Sequence, residues 1–484
     1  MMLKGGTWGN VPYDLLKEVY SFAKTRKTGL YLVGGILRDL LLGKEKENPD
    51  FDFCLKRGAI SFGKGLTKKI KAGFVVLDKE HGACRLVKRI KNKVYTLDFT
   101  DFRGKTLEED LLHRDFTINA MALELERVFA RRTLQDFLID PYRGRKDLKV
   151  EIIRVVNKKA FSEDPLRILR TFSFACVLGF KIDKDTLRLA RAEKNKLSGV
   201  AYERIRDELF RIFDTPSAFK YLAMMDRLKI LKIIFPEIEK MRGVNQGPYH
   251  HLDVWQHSLE TVRQLEDLIK ETENNKEIRD YLNEYICADR KRRALLKLGA
   301  FLHDIGKPAA LRHEDGKTKF HGHERIGLEI SEDIGRRLKL SCDEISSLHK
   351  MVLWHLRPGY MADIEELSPR AIFRYFRDTG AEAVSTLLLS VADQRSTKGP
   401  LTTRASRIRH EKIVFSLLKE YFRRLKEKKL PRLITGNDLI RKFKLQPSPL
   451  IGKILAEVEE LQAIGKLRNK AEALGAAAKI IKQV

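Results

Sequence analysis

The amino-acid sequence predicts an α+β fold: a small α/β head built on a β-sheet, followed by an all-helical neck, body and tail. Three observations carry this expectation. Short β-rich runs are confined to the N-terminal part of the chain, and the β signal nearly vanishes after residue 107. From there, long helical patterns run to the C-terminus. A chain of 484 residues also exceeds what one hydrophobic core organises and is long enough for roughly three domains. The predicted boundaries are 1–150 for the head, 151–240 for the neck, 241–410 for a helical domain and 411–484 for the tail.

Each element follows from its pattern. Residues 10–27 read as an amphipathic helix with Tyr13, Leu16, Val19, Tyr20 and Ala23 on one side. Strands are predicted at Gly29–Val33, Phe51–Leu55, Gly73–Leu77, Ala83–Val87 and Lys93–Thr100, with helical pieces at Ile36–Leu42 and Phe62–Lys71. The basic, polar stretch Glu271–Arg293 reads as a surface helix pair with a turn at Asn274, Asn275 and Lys276. No internal repeat is present.

Apolar residues make up 43% of the chain, as in globular proteins. The longest apolar runs, such as Ala383–Ala392, fall far short of the ~20 residues a membrane span needs. The opening Met1-Met2-Leu3-Lys4-Gly5-Gly6 has no apolar signal core, so export is not expected. Five scattered cysteines, none in a C-x-x-C pair, form a reduced, cytoplasmic pattern and argue against structural zinc. Lys plus Arg is 94 against 66 Asp plus Glu, a net charge of +28. A heavily charged surface accounts for 33% charged residues but not for that imbalance, which points to a polyanion, nucleic acid above all.

The chemistry begins where the first strand ends in Gly34-Gly35 and a helix starts at once. Two glycines let backbone N–H groups approach a phosphate, and a helix N-terminus favours negative charge. Arg38 and Asp39 lie in that helix. On the next strand, Asp50-Phe51-Asp52 places two carboxylates on one face with Phe51 packed behind. Such a pair is costly without a divalent cation, and metal ions held there can activate a hydroxyl and neutralise a triphosphate leaving group. Asp98 stands where a third carboxylate is expected; its alternative role is to orient Arg103 or solvate an edge.

These residues resemble motif A of the class II tRNA nucleotidyltransferases, the CCA-adding and bacterial poly(A) polymerase family: GG-x-x-RD, Gly43, then D-x-D. Further motifs follow in order. His113-Arg114-Asp115-Phe116-Thr117-Ile118-Asn119-Ala120 resembles R-R-D-F-T-x-N-A, with His113 in place of the first arginine. The segments from Asp140 to Leu148 with Ile153-Arg154, Glu163-Asp164-Pro165-Leu166-Arg167, and Glu203-Arg204-Ile205 with Glu208-Leu209 resemble motifs C, D and E. The resemblance implies template-independent addition to the 3′ end of tRNA, with Mg2+ on Asp50 and Asp52. It also implies nucleotide recognition by Arg114, Asp115, Asn119, Asp164 and Arg167, with CTP and ATP as donors.

Asp164 and Arg167, three apart, are expected on one face of a helix. A carboxylate only accepts and a guanidinium only donates, which suits the amino group and ring nitrogen of cytosine or adenine. Uracil and guanine would leave buried polar groups unpaired. Relatives that complete the whole CCA end carry a flexible loop of some ten or more residues between motifs A and B. Here Thr100–Arg103 passes through Gly104-Lys105 straight into Thr106–Leu111, so the resemblance implies addition of the two cytidines, with full CCA addition or poly(A) synthesis as the alternatives.

Further along, His257, the adjacent His303-Asp304, and Asp393 resemble the H…HD…D signature of HD-domain phosphohydrolases. Imidazole with carboxylate suits a divalent metal that activates water. His323 and His355 extend this to a second metal, whereas His250, His251, His313 and His349 read as bystanders. The resemblance implies cyclic-nucleotide or 2′-phosphate esters as substrates. Leu433–Leu439 and Pro447–Leu455 resemble the C-terminal segment of HD-containing relatives, read as a helix, a Pro-marked turn and a helix starting near Ser448. Lys419, Arg423, Arg424, Lys426, Lys428 and Lys429 are expected to contact tRNA phosphates nearby.

Overall fold

Apolar alternation in the N-terminal strands produces a mixed six-stranded sheet. The computed structural model describes residues 12–44, 49–130, 134–314, 316–427 and 431–482. Strands β1 (Leu30–Val33), β2 (Asp50–Leu55), β3 (Gly73–Asp78), β4 (Ala83–Ile90), β5 (Lys93–Asp101) and β6 (Ala122–Glu124) lie in the order β3-β4-β5-β2-β1-β6. The β2–β5 pair is parallel; its neighbours run antiparallel. Strand β6, with its three residues, is too short for its alternation to show in the sequence; its pairing with β1 makes it part of the sheet.

Behind β2 and β5, Phe51, Phe53 and Phe99 are fully buried, and Phe53 stacks on Phe99 with centroids 4.9 Å apart. Burial of each ring contributes about 1.5–3 kcal/mol. The helix Ala59–Ile70 covers this face through Phe62, Leu66 and Ile70. The first helix, Tyr13–Thr25, buries Leu15, Leu16, Val19 and Ala23, while Tyr13 and Tyr20 pack on Phe129.

The chain divides into two units, Met1–Glu208 with Leu228–Ile233, and Leu209–Arg227 with Ile234–Val484. The second unit is helical apart from short hairpins. Of the helix pair expected over Glu271–Arg293, one helix forms within the stretch, Lys276–Asn283, after the preceding helix ends at Glu271; a hairpin of Tyr285–Cys287 and Arg290-Lys291 takes the place of the second. The C-terminal helices Gly436–Phe443, Pro449–Ala463 and Lys470–Ile481 enclose a small core of Ile434, Leu439, Ile454, Val458, Ala473 and Ala477. Arg370 and Arg374 pair with the buried Glu460 and tie this tail bundle to the helix Pro369–Thr379. No helix among the described residues is long and apolar enough to cross a membrane.

Candidate active site and candidate metal centre

Because side chains alternate along β2, Phe51 and Phe53 face the core and Asp50 and Asp52 face the open side of the sheet. The parallel register sets Asp98 directly beside Asp52 and Thr96 beside Asp50. The Thr96 hydroxyl donates to Asp50 Oδ1. Asp98 takes two hydrogen bonds from Arg85 on β4, 2.8 Å to Oδ1 and 2.7 Å to Oδ2. Its partner is therefore Arg85 rather than Arg103, whose side chain donates to the His113 carbonyl. Arg85 could not be singled out in the sequence, because cross-strand register is a long-range property. Burial, opposed by Arg114 but reinforced by Asp98 and Asp50, pushes the Asp52 carboxyl up to about 6. That concentration of negative charge fits a divalent cation.

Gly34 joins β1 to the helix Gly35–Leu41 with φ +79°, a conformation that glycine alone adopts readily. Its missing side chain matters as much: a Cβ there would stand 2.8 Å from Asp52 Oδ2 and 3.4 Å from Arg114 Nη1. From the following helix, Arg38 donates to Asp39 and to Asn119, each at 2.8 Å. Asn119 donates to Asp115, which also pairs with Arg170 at 2.8 Å. Burial alone would raise the Asp115 carboxyl; Arg170 and Asn119 hold it below its ordinary value. Arg38, Asn119, Asp115 and Arg170 thus form one internal network, and Arg170 is a member that no motif marked.

Asp164 and Arg167 do not share a helical face. Asp164 is extended, with φ −145° and ψ 100°, between the helices Ala160–Glu163 and Arg167–Leu178. The cause is Pro165, which disfavours helical backbone in the residue before it. Arg167 is 5% exposed and donates to the carbonyls of His113 (2.6 Å) and Ala160 (3.1 Å), and Asp164 pairs with Arg204 at 2.9 Å. Even so, both line the cleft that Asp52, Asp98, Arg114 and Asp115 line, about 1120 Å³ in volume. Between β5 and the helix Leu107–Leu112 the connection is a short turn capped by Thr106, which accepts from the Glu109 N–H.

The second unit gathers the predicted histidines. His257 lies in the helix Val254–Glu271, His303-Asp304 follow Arg292–Leu302, and Asp393 lies in Ala383–Ser396. His323 opens His323–Arg337, and His355 follows Cys342–Trp354. His303, His323 and His355 each pair Nδ1 with the carbonyl three residues earlier, at 2.7–2.8 Å, which turns Nε2 inward. Two clusters result, His257–His303–Asp304 and Asp304–His323–His355, with ligand atoms within 4.8 Å of one another. Asp393 joins the first, its Oδ1 2.9 Å from His257 Nε2 and 3.8 Å from His303 Nε2. His303 Nε2 and Asp304 Oδ1 are buried without an aligned hydrogen bond, as expected of atoms arranged for a metal ion. Burial would lower the His303 imidazole, but Asp304 and Asp393 hold it up at about 10.

Lys307 completes this centre, donating to Asp304 Oδ2 at 2.6 Å and to Gln246 at 2.7 Å. His250, read as a bystander, instead sets its ring edge-on against His257 with centroids 4.7 Å apart. His349 approaches Glu332, away from both clusters. Among the basic tail residues, Arg423 and Arg424 pair with Glu420 and Lys426 with Glu277, while Lys428 and Lys429 lie outside the described residues. These pairings leave less free positive charge than the sequence led one to expect: Glu420, one helical turn away, takes up Arg423 and Arg424, and Glu277 on another helix takes up Lys426.

Four family profiles match along the chain. They are a poly A polymerase head domain over residues 30–154, a "Probable RNA and SrmB-binding site of polymerase A" over 179–241, an HD domain over 254–398 and a tRNA nucleotidyltransferase domain 2 over 401–478. The chain is similar to a CC-adding tRNA nucleotidyltransferase of Geobacter sulfurreducens, 30% identical over 460 residues, or 94% of this chain and 93% of the relative. It is also similar to an A-adding tRNA nucleotidyltransferase of Deinococcus radiodurans, 28% identical over 456 residues, 92% and 94% of the two chains. A solved CCA-adding enzyme in complex with CTP shares the fold with a TM-score of 0.64 at 24% identity, over 98% of this chain and 97% of that one.

Proposed function

The chain belongs to the tRNA nucleotidyltransferase family, and from that premise we propose that it adds cytidine to the 3′ end of tRNA, with CTP as donor. In this reaction the terminal 3′ oxygen bonds to the α-phosphorus of CTP and pyrophosphate leaves with the electron pair of the broken P–O bond. The observation that carries the reading is that Asp52 and Asp98, side by side with Asp50 next along β2, line one cleft with Arg114, Asp164 and Arg167. Magnesium bound to Asp50 and Asp52 would lower the pKa of the attacking hydroxyl and offset charge on the leaving group.

The chain's own groups do the rest. Arg114, half-buried near Asp52 and paired with Asp110, faces the triphosphate as a fixed positive charge. Gly34 and Gly35 keep side chains out of that approach, and Arg38 with Asp39 and Asn119 stiffens the wall that Asp115 shares. Asp164 accepts from the cytosine amino group, and Arg167 donates its remaining N–H groups to the ring. The short turn after Arg103 supports cytidine addition without the terminal adenosine. The likeness to an A-adding relative supports a second reading, in which the chain adds only that adenosine. The test is a tRNA lacking its CCA end offered CTP and ATP together, followed by product sequencing. Two added cytidines support the first reading; adenosine added after them, or only to a CC-ended tRNA, overturns it.

The histidine clusters support a separate activity in the second unit, metal-dependent hydrolysis of a cyclic or 2′-phosphate ester. A divalent metal there would supply an ionised water at neutral pH. His257, His303, Asp304 and Asp393 would hold it, and Lys307 donates to Oδ2 of Asp304. Reduced cysteines suit a cytoplasmic setting for both activities.

A further inference from the structure

We propose that Arg85 is a positioning residue for nucleotidyl transfer, setting the plane of the Asp98 carboxylate; the proposal rests on the reading above. The sheet register builds a row across three strands: Asp52 on β2, Asp98 beside it on β5, and Arg85 beside Asp98 on β4. Arg85 occupies the outer end of this row and Asp52 the inner end. Its Nε and Nη2 hydrogen-bond the two Asp98 oxygens separately, at 2.8 and 2.7 Å, in the forked geometry that only a guanidinium offers. A fork fixes the rotation of the carboxylate about its own axis, which a single hydrogen bond does not.

Each carboxylate oxygen carries two lone pairs, and Arg85 uses one on each. The remaining pair on each oxygen stays available to the reacting hydroxyl. Without Arg85, Asp98 has Asp52 for a neighbour, and like charge would turn it away from the row. Among the described residues, the three head carboxylates do not close to within 4.8 Å as the histidine clusters do. Their spacing is therefore kept by partners on the strands, Thr96 for Asp50 and Arg85 for Asp98.

An ordinary cross-strand ion pair is the plain alternative. Arg85 is 44% exposed and Asp98 19% exposed, and pairs of that kind add little to stability. The two roles differ in kinetics. If Arg85 positions Asp98, Arg85→Ala lowers kcat about 10- to 100-fold. KM for CTP stays within about twofold, because Arg114, Asp164 and Arg167 are untouched. Arg85→Lys, with charge but no fork, falls between the two, and the double variant R85A/D98N is no slower than D98N alone.

The experiment is steady-state cytidine addition to a tRNA lacking its CCA end, with thermal unfolding and CTP binding measured on each variant. A wild-type kcat in R85A overturns the proposal. So does a loss of activity that accompanies loss of CTP binding or of the folded state. So does full additivity in the double variant. If the wild-type protein itself adds no nucleotide to tRNA, it is the functional reading that fails, a result distinct from an active wild type with an equally active R85A.

Discussion

Gly34 and Asp52 stand so close that a methyl group on the first would press on the second, at 2.8 Å from Oδ2. The glycine also holds φ +79° and ψ −146°, a region that side chains other than hydrogen rarely enter. Gly34→Ala is expected to cost about 1–3 kcal/mol of stability, read by denaturant unfolding. Its effect on transfer should be larger, about 100-fold in kcat, because a displaced Asp52 leaves the row.

Asp52 has the most telling titration in the head. Its folded value of about 6 lies above the ordinary 3.8, so the native state keeps a proton that the unfolded chain has released. Metal-free stability therefore falls as pH rises from about 4 to about 6, and the loss is complete above that window. Asp52→Asn should raise metal-free stability at pH 7, by on the order of 2 kcal/mol, while abolishing transfer. Magnesium competes with the same proton, so its affinity in the wild type should decline as pH drops through about 6. Isothermal titration at several pH values reads both.

Base selection is best tested at Asp164. Arg167 is 5% exposed and donates to two backbone carbonyls, so Arg167→Ala empties a buried position and confounds specificity with folding. Asp164 pairs with the half-exposed Arg204, and its Oδ1 accepts from the Leu166 N–H at 3.2 Å, an acceptor that asparagine retains. Asp164→Asn should reduce the preference for CTP over UTP by about 10- to 100-fold, measured as a ratio of kcat/KM, with an unchanged unfolding midpoint.

At the histidine centre the sign is the same but the window lies higher. His303 is held protonated up to about 10 in the metal-free protein, so that contribution to stability is fully present below pH 6.5 and is lost as pH rises through about 10. A divalent metal displaces this proton, and its affinity should increase from pH 6 to pH 8. His303→Ala should remove most of the bound metal, as read by elemental analysis after dialysis, together with any phosphoesterase activity.

Much of this was legible in the sequence. Asp50 and Asp52 could be placed on one face because strand alternation is local, and the histidines because His-Asp is contiguous. Strand β6 and the hairpin at Tyr285 were hidden, being too short for periodicity to show. The helix drawn through Asp164 failed because Pro165 outweighs the three-residue spacing. Arg85 and Arg170 escaped for one shared reason: each acts through a residue on another element, and nothing local announces the pairing.

The parallel pairing of β2 with β5 has a consequence for when the protein becomes competent. Asp50 and its partner Thr96 are separated by 46 positions, and the β3–β4 hairpin lies between them in the chain. Contacts of such separation close late, after helices and hairpins have formed. In refolding from denaturant, helical circular dichroism should therefore recover first, and cytidine transfer should lag behind it. A nascent or partly unfolded chain would keep its helices and yet be chemically silent, so the active site serves as the fold's last checkpoint.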